Sequence, residues 1–403
     1  MAETGASGQA TIALTRPGWG RFFGRGLALA GGLALAGCQT IVPRTTAPEA
    51  PPPPEKPAPV KPGLPADVER HRVALLVPTT GANAGLGQSI ANATTMALID
   101  TDAKTIRITT YDTGKGIAAA ASQAIADGNR LILGPLTGDE AKIVSGPARK
   151  AGVPVISFSN DSGAAGNGVY IMGYSPAQSV DRVVSYARTR GVSRFAALVP
   201  SGVYGERTGN ALLRAVRDMG GTVVAMEHYD RSAGAIAAAV RRLGQASGYE
   251  AVLIADGGRV ALQAAPLLRK AGGASARILG TELWNTESSL AASPALRGAW
   301  FASVSDVYYR QLATKYRARF NTAPYRLSAL GYDAVLLTVR IAQNWAPGKP
   351  FPAAALLDKG GFVGIDGAFR FISTGLAERA LEVQQIDPGR FTVVDAAPKG
   401  FGN

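Results

Sequence analysis

The side chains best suited to chemistry are scarce in this chain, because its 403 residues include one Cys (Cys38) and two His (His71 and His228). A zinc site of four Cys, or of two Cys and two His, cannot be assembled from this set. An intrachain disulfide and a Cys-x-x-Cys redox pair are excluded for the same reason. Neither His has a partner that the sequence identifies, so no nucleophile–base pair is expected. We therefore predict a protein without enzymatic activity, metal or cofactor.

Two glycine-containing segments match phosphate-binding loops only in part. Gly85-Leu86-Gly87 follows an apolar run, as a dinucleotide loop would, but the third Gly of that motif is missing. Around Gly114-Lys115, position 109 is Thr and position 116 is Gly, whereas a Walker loop needs Gly and then Ser or Thr there. No Gly-x-Ser-x-Gly nucleophile elbow occurs in the sequence.

The single Cys lies in a specific context. Residues 1–26 contain three Arg and one Glu, and residues 27–36 form an apolar run too short to span a bilayer. The tetrapeptide Leu35-Ala36-Gly37-Cys38 then resembles a bacterial lipobox, which implies a lipoprotein signal peptide over residues 1–37, lipidation of Cys38 and attachment to a membrane in the periplasm. The alternative is an ordinary signal peptide that ends near a Cys. Residue 39 is Gln rather than Asp, and resemblance to the lipoprotein sorting rule favours the outer membrane.

Residues 38–69 are predicted to form a tether. Ten Pro fall between residues 43 and 65, which excludes a helix or central strand and favours an extended, semi-rigid spacer. Loss of residues 1–37 would remove three Arg and one Glu, so the net charge falls from +13 to +11. Arg residues are distributed through helical patterns without a nucleic-acid motif, so no nucleic-acid partner is expected. The alternative role for this charge is attraction to an anionic surface such as phospholipid headgroups or peptidoglycan.

Apolar runs alternate with helical patterns along residues 70–396, which predicts an α/β fold with parallel sheets. The predicted strands of two successive halves are 73–77, 106–111, 131–133 and 153–158, then 195–199, 223–226, 251–254 and 277–279. The later segment is predicted to contain a strand at 300–302, helices at 307–320 and 327–344, and a hairpin at 362–372 and 380–394. We expect this segment to complete both halves, although a third domain is an alternative. The expected lobes are about 70–174 with 300–344, and about 175–299 with 345–396.

Seven motifs occur in an order and spacing that resembles one family. They are Val73–Pro78 with Thr79-Thr80-Gly81, Tyr111-Asp112-Thr113, Gly134-Pro135-Leu136, Val155-Ile156-Ser157-Phe158-Ser159, Tyr204-Gly205, Gly280-Thr281-Glu282 and Gly331-Tyr332-Asp333-Ala334. Together they resemble the type I periplasmic-binding fold, in the branch of the branched-chain amino-acid-binding proteins. The resemblance implies two Rossmann-like lobes that are joined by a three-stranded hinge and close on a ligand.

A narrower resemblance involves the C-terminal part of the chain. The segments Gly280–Trp284, Pro294–Gly298 and Gly361–Phe371, followed by Glu378-Arg379, resemble the penicillin-binding-protein activators. These are lipid-anchored relatives on the same fold, and the resemblance implies that they stimulate peptidoglycan synthases by protein contact.

The candidate ligand site follows from the fold, because ligands of parallel α/β sheets lie beyond the carboxyl ends of the strands. The nominated residues are Thr79, Thr80, Thr137, Ser157, Ser159, Asn160, Asp161, Tyr204, Asp256 and Glu282. By resemblance, amino-acid binders have Ser where this chain has Gly138 and Thr where it has Asp161. They also have an aromatic residue that is absent from Asp256-Gly257-Gly258. Tyr204 and Glu282 are kept, as ligand residues or alternatively as fold-stabilising ones.

Two functions are consistent with this half-preserved site. The leading prediction is a non-enzymatic, lipid-anchored activator of a penicillin-binding protein, with a peptidoglycan synthase as its partner. The alternative is the substrate-binding protein of an ABC importer, with Tyr204 and Glu282 binding an amino acid or another small polar solute.

Overall fold

The computed structural model describes residues 69–232, 234–246, 248–271 and 275–401. The predicted signal peptide, Cys38 and nearly all of the proline-rich tether lie outside the described residues. Within the described ranges, no helix is long and apolar enough to cross a membrane.

The first sheet has five parallel strands in the order β2-β1-β3-β4-β5. Its strands are β1 His71–Val77, β2 Ile106–Asp112, β3 Leu131–Leu133, β4 Val155–Ser157 and β5 Val169–Ile171. Helices α1 Ala84–Asp100, α2 Ile117–Ala126 and α3 Gly138–Lys150 connect the first four strands. The apolar run Val73–Val77 is almost completely buried, as expected for a central parallel strand covered by helices on both faces.

The second sheet has seven strands in the order β15-β14-β10-β9-β8-β6-β7. Its parallel strands are β6 Arg194–Pro200, β7 Thr222–Tyr229, β8 Ala251–Ile254, β9 Arg277–Gly280 and β10 Trp300–Ser303. Two antiparallel strands, β14 Glu382–Asp387 and β15 Arg390–Asp395, extend one edge. The helices of this lobe are α4 Pro176–Thr189, α5 Val203–Asp218, α6 Ala235–Leu243 and α7 Gly258–Lys270.

A small third sheet and two helices complete the first lobe. They are α8 Val307–Phe320, α9 Ser328–Ala342, β11 Phe362–Gly364, β12 Gly367–Phe371 and β13 Ala377–Arg379. Phe362, Phe369 and Phe371 belong to the same hydrophobic core as Leu75 and Leu330. Asp333 of α9, which is fully buried, accepts hydrogen bonds from the backbone N–H groups of Ile365 and Asp366 at 2.6 and 3.4 Å. These bonds join α9 to the turn between β11 and β12.

The chain crosses between the lobes three times. It passes from β5 to α4 near Tyr174, returns from β10 to α8 near Val304, and passes from β13 to β14 near Leu381. The predicted fold class is confirmed: two parallel α/β lobes are connected by three segments.

The structure corrects three details of the predicted organisation. Residues 300–303 were assigned to the first lobe, but β10 pairs in parallel with β9 and therefore belongs to the second sheet. Residues 345–379 were assigned to the second lobe, but Phe351, Leu356 and Phe362 pack in the core of the first. The predicted hairpin of 362–372 with 380–394 is also wrong, because each half folds on itself: β11 pairs with β12, and β14 with β15.

Candidate functional site

The carboxyl ends of the two parallel sheets approach each other, and we call the space between them the cleft. Asp161, which follows β4 in the first lobe, contacts Arg207 of α5 in the second lobe. All ten residues nominated in the sequence lie near strand ends or the helices that follow them.

Two of the nominated first-lobe threonines are engaged in local structure. The Thr80 hydroxyl donates to Asp112 Oδ2 at 2.7 Å, and the backbone N–H groups of Thr79 and Thr80 donate to Oδ1. These hydrogen bonds, led by that of Thr80, lower the pKa of Asp112 to about 2. Thr137 forms a capping box with Glu140 at the start of α3. The structure therefore gives Thr80 and Thr137 structural partners.

The serines after β4 form a buried chain of hydrogen bonds. Ser157 Oγ donates to the Pro135 carbonyl at 2.9 Å and accepts from the Ser159 N–H at 3.2 Å. Ser159 Oγ in turn accepts from the N–H of Asp161 at 2.9 Å. Both serine residues are buried, whereas Asn160 is exposed beside them. This network fixes the position of Asp161.

Asp161 lies between two cations. Lys142 Nζ is 3.1 Å from Asp161 Oδ2, and Arg207 Nη2 forms a short ion pair with Oδ1. Burial would raise the pKa of Asp161, but the hydrogen bonds and charges of Lys142, Gly163 and Arg207 outweigh it, so the pKa is lowered. Asp161 is therefore an anion at neutral pH that bridges the two lobes.

Gly138 and Asp161 are neighbours in space, and both differ from the residues that the resemblance to amino-acid binders implies at these positions. A Cβ atom at Gly138 would lie 2.4 Å from both Cβ and Oδ2 of Asp161. No side chain fits there unless Asp161 moves, so the carboxylate of Asp161 fills the space that a side chain at position 138 would occupy. An anion at this place repels a ligand carboxylate.

In the second lobe, Tyr204 and Glu282 are in direct contact. The Tyr204 hydroxyl lies 3.0 Å from Glu282 Oε1 and 2.9 Å from Thr281 Oγ1, so it donates to the carboxylate and accepts from the threonine. Glu282 as a residue is half-buried, but its Oε2 atom is shielded from solvent and has no hydrogen-bond partner among the described residues. Burial raises the pKa of Glu282 to about 7, although hydrogen bonds from its own backbone N–H, from Tyr204 and from Ser179 oppose the shift. Glu282 can therefore accept a further donor.

Asp256 is held by hydrogen bonds from neighbouring residues of the second lobe. Its carboxylate accepts from the Tyr229 hydroxyl at 2.8 Å, Arg231 Nη2 at 3.0 Å and the Gly257 N–H at 2.8 Å. Its carbonyl accepts from Trp284 Nε1 at 2.9 Å. The bonds of Asp256 are thus made within the second lobe.

A cavity of about 260 Å³ lies where the three connecting segments meet, and we call it the hinge cavity. Among the ten nominated residues, Glu282 alone lines it. Its other lining residues include Tyr174, Gln178, Val304, Arg326, Arg379 and Leu381. The strand-end rule did not find these residues, because they come from the hinge segments, the first turn of α4 and the loop before α9. The segment from Leu376 to Val383 also contains Glu378 and Glu382, so Arg379 does not stand out there by its charge.

Arg326 is a buried cation with two carboxylates close to it, at one side of the hinge cavity, although its Nη2 atom has no hydrogen bond of good geometry among the described residues. Its guanidinium is 2.7 Å from Asp366 Oδ1 and 3.1 Å from Asp306 Oδ1. Burial would lower the pKa of Arg326, but these carboxylates and Tyr174 raise it. The Tyr174 hydroxyl donates a short hydrogen bond to Asp366, so the ring that lines the hinge cavity is fixed in place.

Comparisons with known proteins agree with this architecture. A family model described as periplasmic binding protein matches residues 71–390. Among solved structures, a putative branched-chain amino acid ABC transporter from Rhodospirillum rubrum superposes with a TM-score of 0.72 at 19% identity, covering 81% of this chain and 100% of that chain. A leucine binding protein from Thermotoga maritima MSB8 superposes with a TM-score of 0.60 at 17% identity, covering 81% and 98%.

Two further similar proteins are a solved structure with a bound aromatic acid and a relative found by its sequence. A solute binding protein of an ABC transporter from Rhodopseudomonas palustris BisB5, in complex with 3,4-dihydroxy benzoic acid, has a TM-score of 0.61 at 17% identity, covering 82% of this chain and 99% of that chain. An uncharacterized protein of Rickettsia prowazekii (strain Madrid E) is 25% identical over 173 residues, 42% of this chain. That match spans about half, 46%, of the relative's length. At these identities the structural likeness is one of fold.

Proposed function

This chain belongs to the periplasmic binding protein family, and from that premise we propose that it is the solute-binding protein of an ABC importer. Its solute is an amino acid or a related small polar molecule. The family places the folded region in the periplasm and is a class of binding proteins rather than enzymes. Structural neighbours described as a leucine binding protein and as the solute binding protein of an ABC transporter in complex with 3,4-dihydroxy benzoic acid support this proposal.

The observation that supports it most directly is the unsatisfied carboxylate of Glu282. A buried acceptor without a hydrogen-bond partner is costly in a folded protein, and Glu282 Oε2 is such an atom beside a cavity of small-molecule size. The Tyr204 hydroxyl orients the carboxylate from one side, which leaves Oε2 for a donor on the solute. An ammonium or amide group of the solute is the matching partner.

A thermal-shift screen against small polar metabolites tests the proposal. A solute that binds only the folded state stabilises it by about 2.7 kcal/mol at a hundredfold excess over Kd, so the Tm of the wild type rises. Glu282→Gln and Tyr204→Phe should lose the shift, whereas Glu206→Gln, on the exposed face of the same helix as Tyr204, should keep it. If no amino acid or polar metabolite moves the Tm of the wild type, the importer proposal fails.

A second proposal is activation of a penicillin-binding protein by contact, which the interlobe ion pair favours. Arg207 and Asp161 join the lobes through side chains of the protein itself, as a protein that signals by its surface rather than by its cargo would require. The C-terminal resemblance to the activators supports the same function. Stimulation of transglycosylase or transpeptidase activity of a purified peptidoglycan synthase by the protein would support it; unchanged rates would contradict it.

The proposed membrane attachment is the lipid on Cys38, with the outer membrane as the proposed location. Replacement of Cys38 by Ala should shift the protein from the membrane fraction to the soluble periplasmic fraction and abolish labelling by a radioactive fatty acid. Density-gradient separation of the two membranes tests the location, because outer-membrane attachment requires co-migration with outer-membrane markers. Co-migration with the inner membrane would contradict it.

A further inference from the structure

The hinge cavity contains a buried cation whose hydrogen bonds the protein does not complete. Arg379 is 6% exposed, and its Nη2 donates to the Met172 carbonyl at 2.7 Å. Its Nε and Nη1 atoms are shielded from solvent and have no hydrogen-bond partner among the described residues. The rings of Tyr174 and Phe369 lie 5.1 and 5.2 Å from the guanidinium carbon, and they stabilise the charge through their faces without occupying these N–H groups.

The neighbouring arginine shows what Arg379 lacks. Arg326 lines the same cavity and has two carboxylates, Asp306 and Asp366, within 3.1 Å. Among the described residues, no ion pair within 4 Å joins Arg379 to a carboxylate, and the buried Asp333 acts on it only through longer-range charge. A buried cation without an anion in contact is costly, and a carboxylate is the group that a guanidinium binds best. The surroundings of Arg379 are therefore suited to binding an anionic group of a ligand.

The first lobe has no site for a solute carboxylate that is equivalent to the one at Arg379. Asp161 already fills the space beside Gly138 and is bound by Lys142 and Arg207. A solute carboxylate in that position would meet a fixed negative charge and find both nearby cations occupied. The hinge side of the cleft is consequently the place where an anionic group of a solute is favoured.

Building on the solute-binding function proposed above, we propose that Arg379 is the carboxylate anchor of the solute. The solute is a small aliphatic amino carboxylate whose carboxylate lies at Arg379 in the hinge cavity and whose ammonium lies at Glu282. Both residues line the one cavity, and Leu283, Val304 and Leu381 supply apolar walls between the charged groups. The negative charge of Glu282 and the positive charge of Arg379 then match the two charges of the zwitterion.

Binding of matched compounds to the full folded region tests the anchor. Calorimetry with L-leucine, L-leucinamide and isoamylamine compares the same aliphatic body with a free, blocked and absent carboxylate. We expect the wild type to bind the amino acid about 10- to 100-fold more tightly than the two cations, the size of a charge-assisted hydrogen bond. Arg379→Met should remove this preference, while Arg217→Met, a matched change at an exposed arginine of α5, should keep it.

The outcomes separate the anchor from the general function. Equal binding of leucine and leucinamide, or an Arg379→Met variant that binds leucine as the wild type does, overturns the anchor but leaves solute binding intact. If Arg379→Met does not fold, as judged by circular dichroism, the crystal structure of the wild type with bound leucine decides: a carboxylate within hydrogen-bond distance of Arg379 supports the anchor, and one beside Ser159 overturns it. Failure of all three compounds, and of the wider metabolite screen, rejects solute binding itself and the anchor with it.

Discussion

At the scale of single residues, Glu282 is expected to make stability depend on pH. Its pKa is about 7 in the fold against an ordinary value of 4.5, so ionisation opposes folding. The penalty is absent below about pH 4.5, grows as the pH rises towards 7, and reaches roughly 3 kcal/mol above it. Glu282→Gln should therefore raise the free energy of unfolding at pH 8 and change it little at pH 4.5. Urea denaturation at the two pH values measures this difference, with Glu206→Gln as the control.

A gain from Glu282→Gln that is equal at both pH values would contradict this prediction, since it would show that packing rather than charge is responsible. The measurement is made without solute, because an ammonium bound at Glu282 would lower its pKa and reduce the effect.

The close approach of Gly138 to Asp161 gives a second residue-scale prediction. Gly138→Ala alone should destabilise the protein by roughly 1–3 kcal/mol, because the new methyl group overlaps Asp161. Combined with Asp161→Gly, which removes the overlapping atoms, the same change should cost little. A double-mutant cycle by chemical denaturation measures the coupling, expected at about 0.5–3 kcal/mol. Additive effects of the two changes would show that the two positions do not interact.

The sequence supported the candidate site unevenly, for a physical reason. The strand-end rule identified Tyr204 and Glu282, which the structure places in contact; their role in ligand binding stays a prediction. The same rule nominated Thr80, Thr137 and Asp256, whose polar atoms have partners in the turns and caps around them. Residue type and strand position do not reveal such local partners. The strand-end rule could not find Arg379. Its importance depends on the lack of a carboxylate in contact with it, which only the three-dimensional structure shows.

At the scale of secondary-structure elements, the contact between α1 and α9 depends on Gly331. A Cβ atom there would lie 2.8 Å from Ile90 Cγ2 and 3.0 Å from the Ile90 carbonyl oxygen. Gly331→Ala should therefore destabilise the protein by roughly 1–3 kcal/mol, although Ala is the better helix former by about 1 kcal/mol. Gly146→Ala in α3 is the matched control, since nothing lies within 4 Å of its Cβ position.

Urea denaturation should separate the two glycines in sign, with Gly331→Ala lowering the free energy of unfolding and Gly146→Ala leaving it unchanged or higher. Equal effects would mean that α1 and α9 adjust their spacing at little cost, and would contradict the tight helix contact.

The order of helices and strands along the chain was predictable from the sequence, whereas the sheet or core that each one joins was not. Long apolar runs such as Val73–Val77 and Phe195–Val199 are buried central strands in the structure, because burial on both faces leaves a continuous apolar signal. The strand β5 has three residues and no comparable signal. Which sheet Trp300–Ser303 joins, and which core receives Phe362 and Phe369, is decided by contacts distant in sequence. Local pattern contains no information about those contacts.

At the scale of the whole molecule, the ion pair between Asp161 and Arg207 is expected to hold the lobes together without solute. Asp161 has 15% of its side chain exposed and Arg207 has 32%, so salt screens the pair only in part. The pKa of Asp161 is lowered, so the carboxylate is ionised at neutral pH and the attraction is lost only as the pH falls through that lowered value. Arg207→Ala should increase the radius of gyration in small-angle X-ray scattering at low salt, while Arg217→Ala should not.

The same ion pair connects lobe opening with the two proposed functions. If the protein binds solute, Arg207→Ala should weaken solute affinity, because a more open ground state must be closed by binding energy. If instead the protein activates a synthase through the surface of its closed form, Arg207→Ala should reduce the stimulation of the synthase. Solute affinity is then not the relevant measurement. A radius of gyration equal to that of the wild type, at both low and 1 M salt, would show that the hinge itself sets the lobe positions and that Asp161 and Arg207 only accompany them.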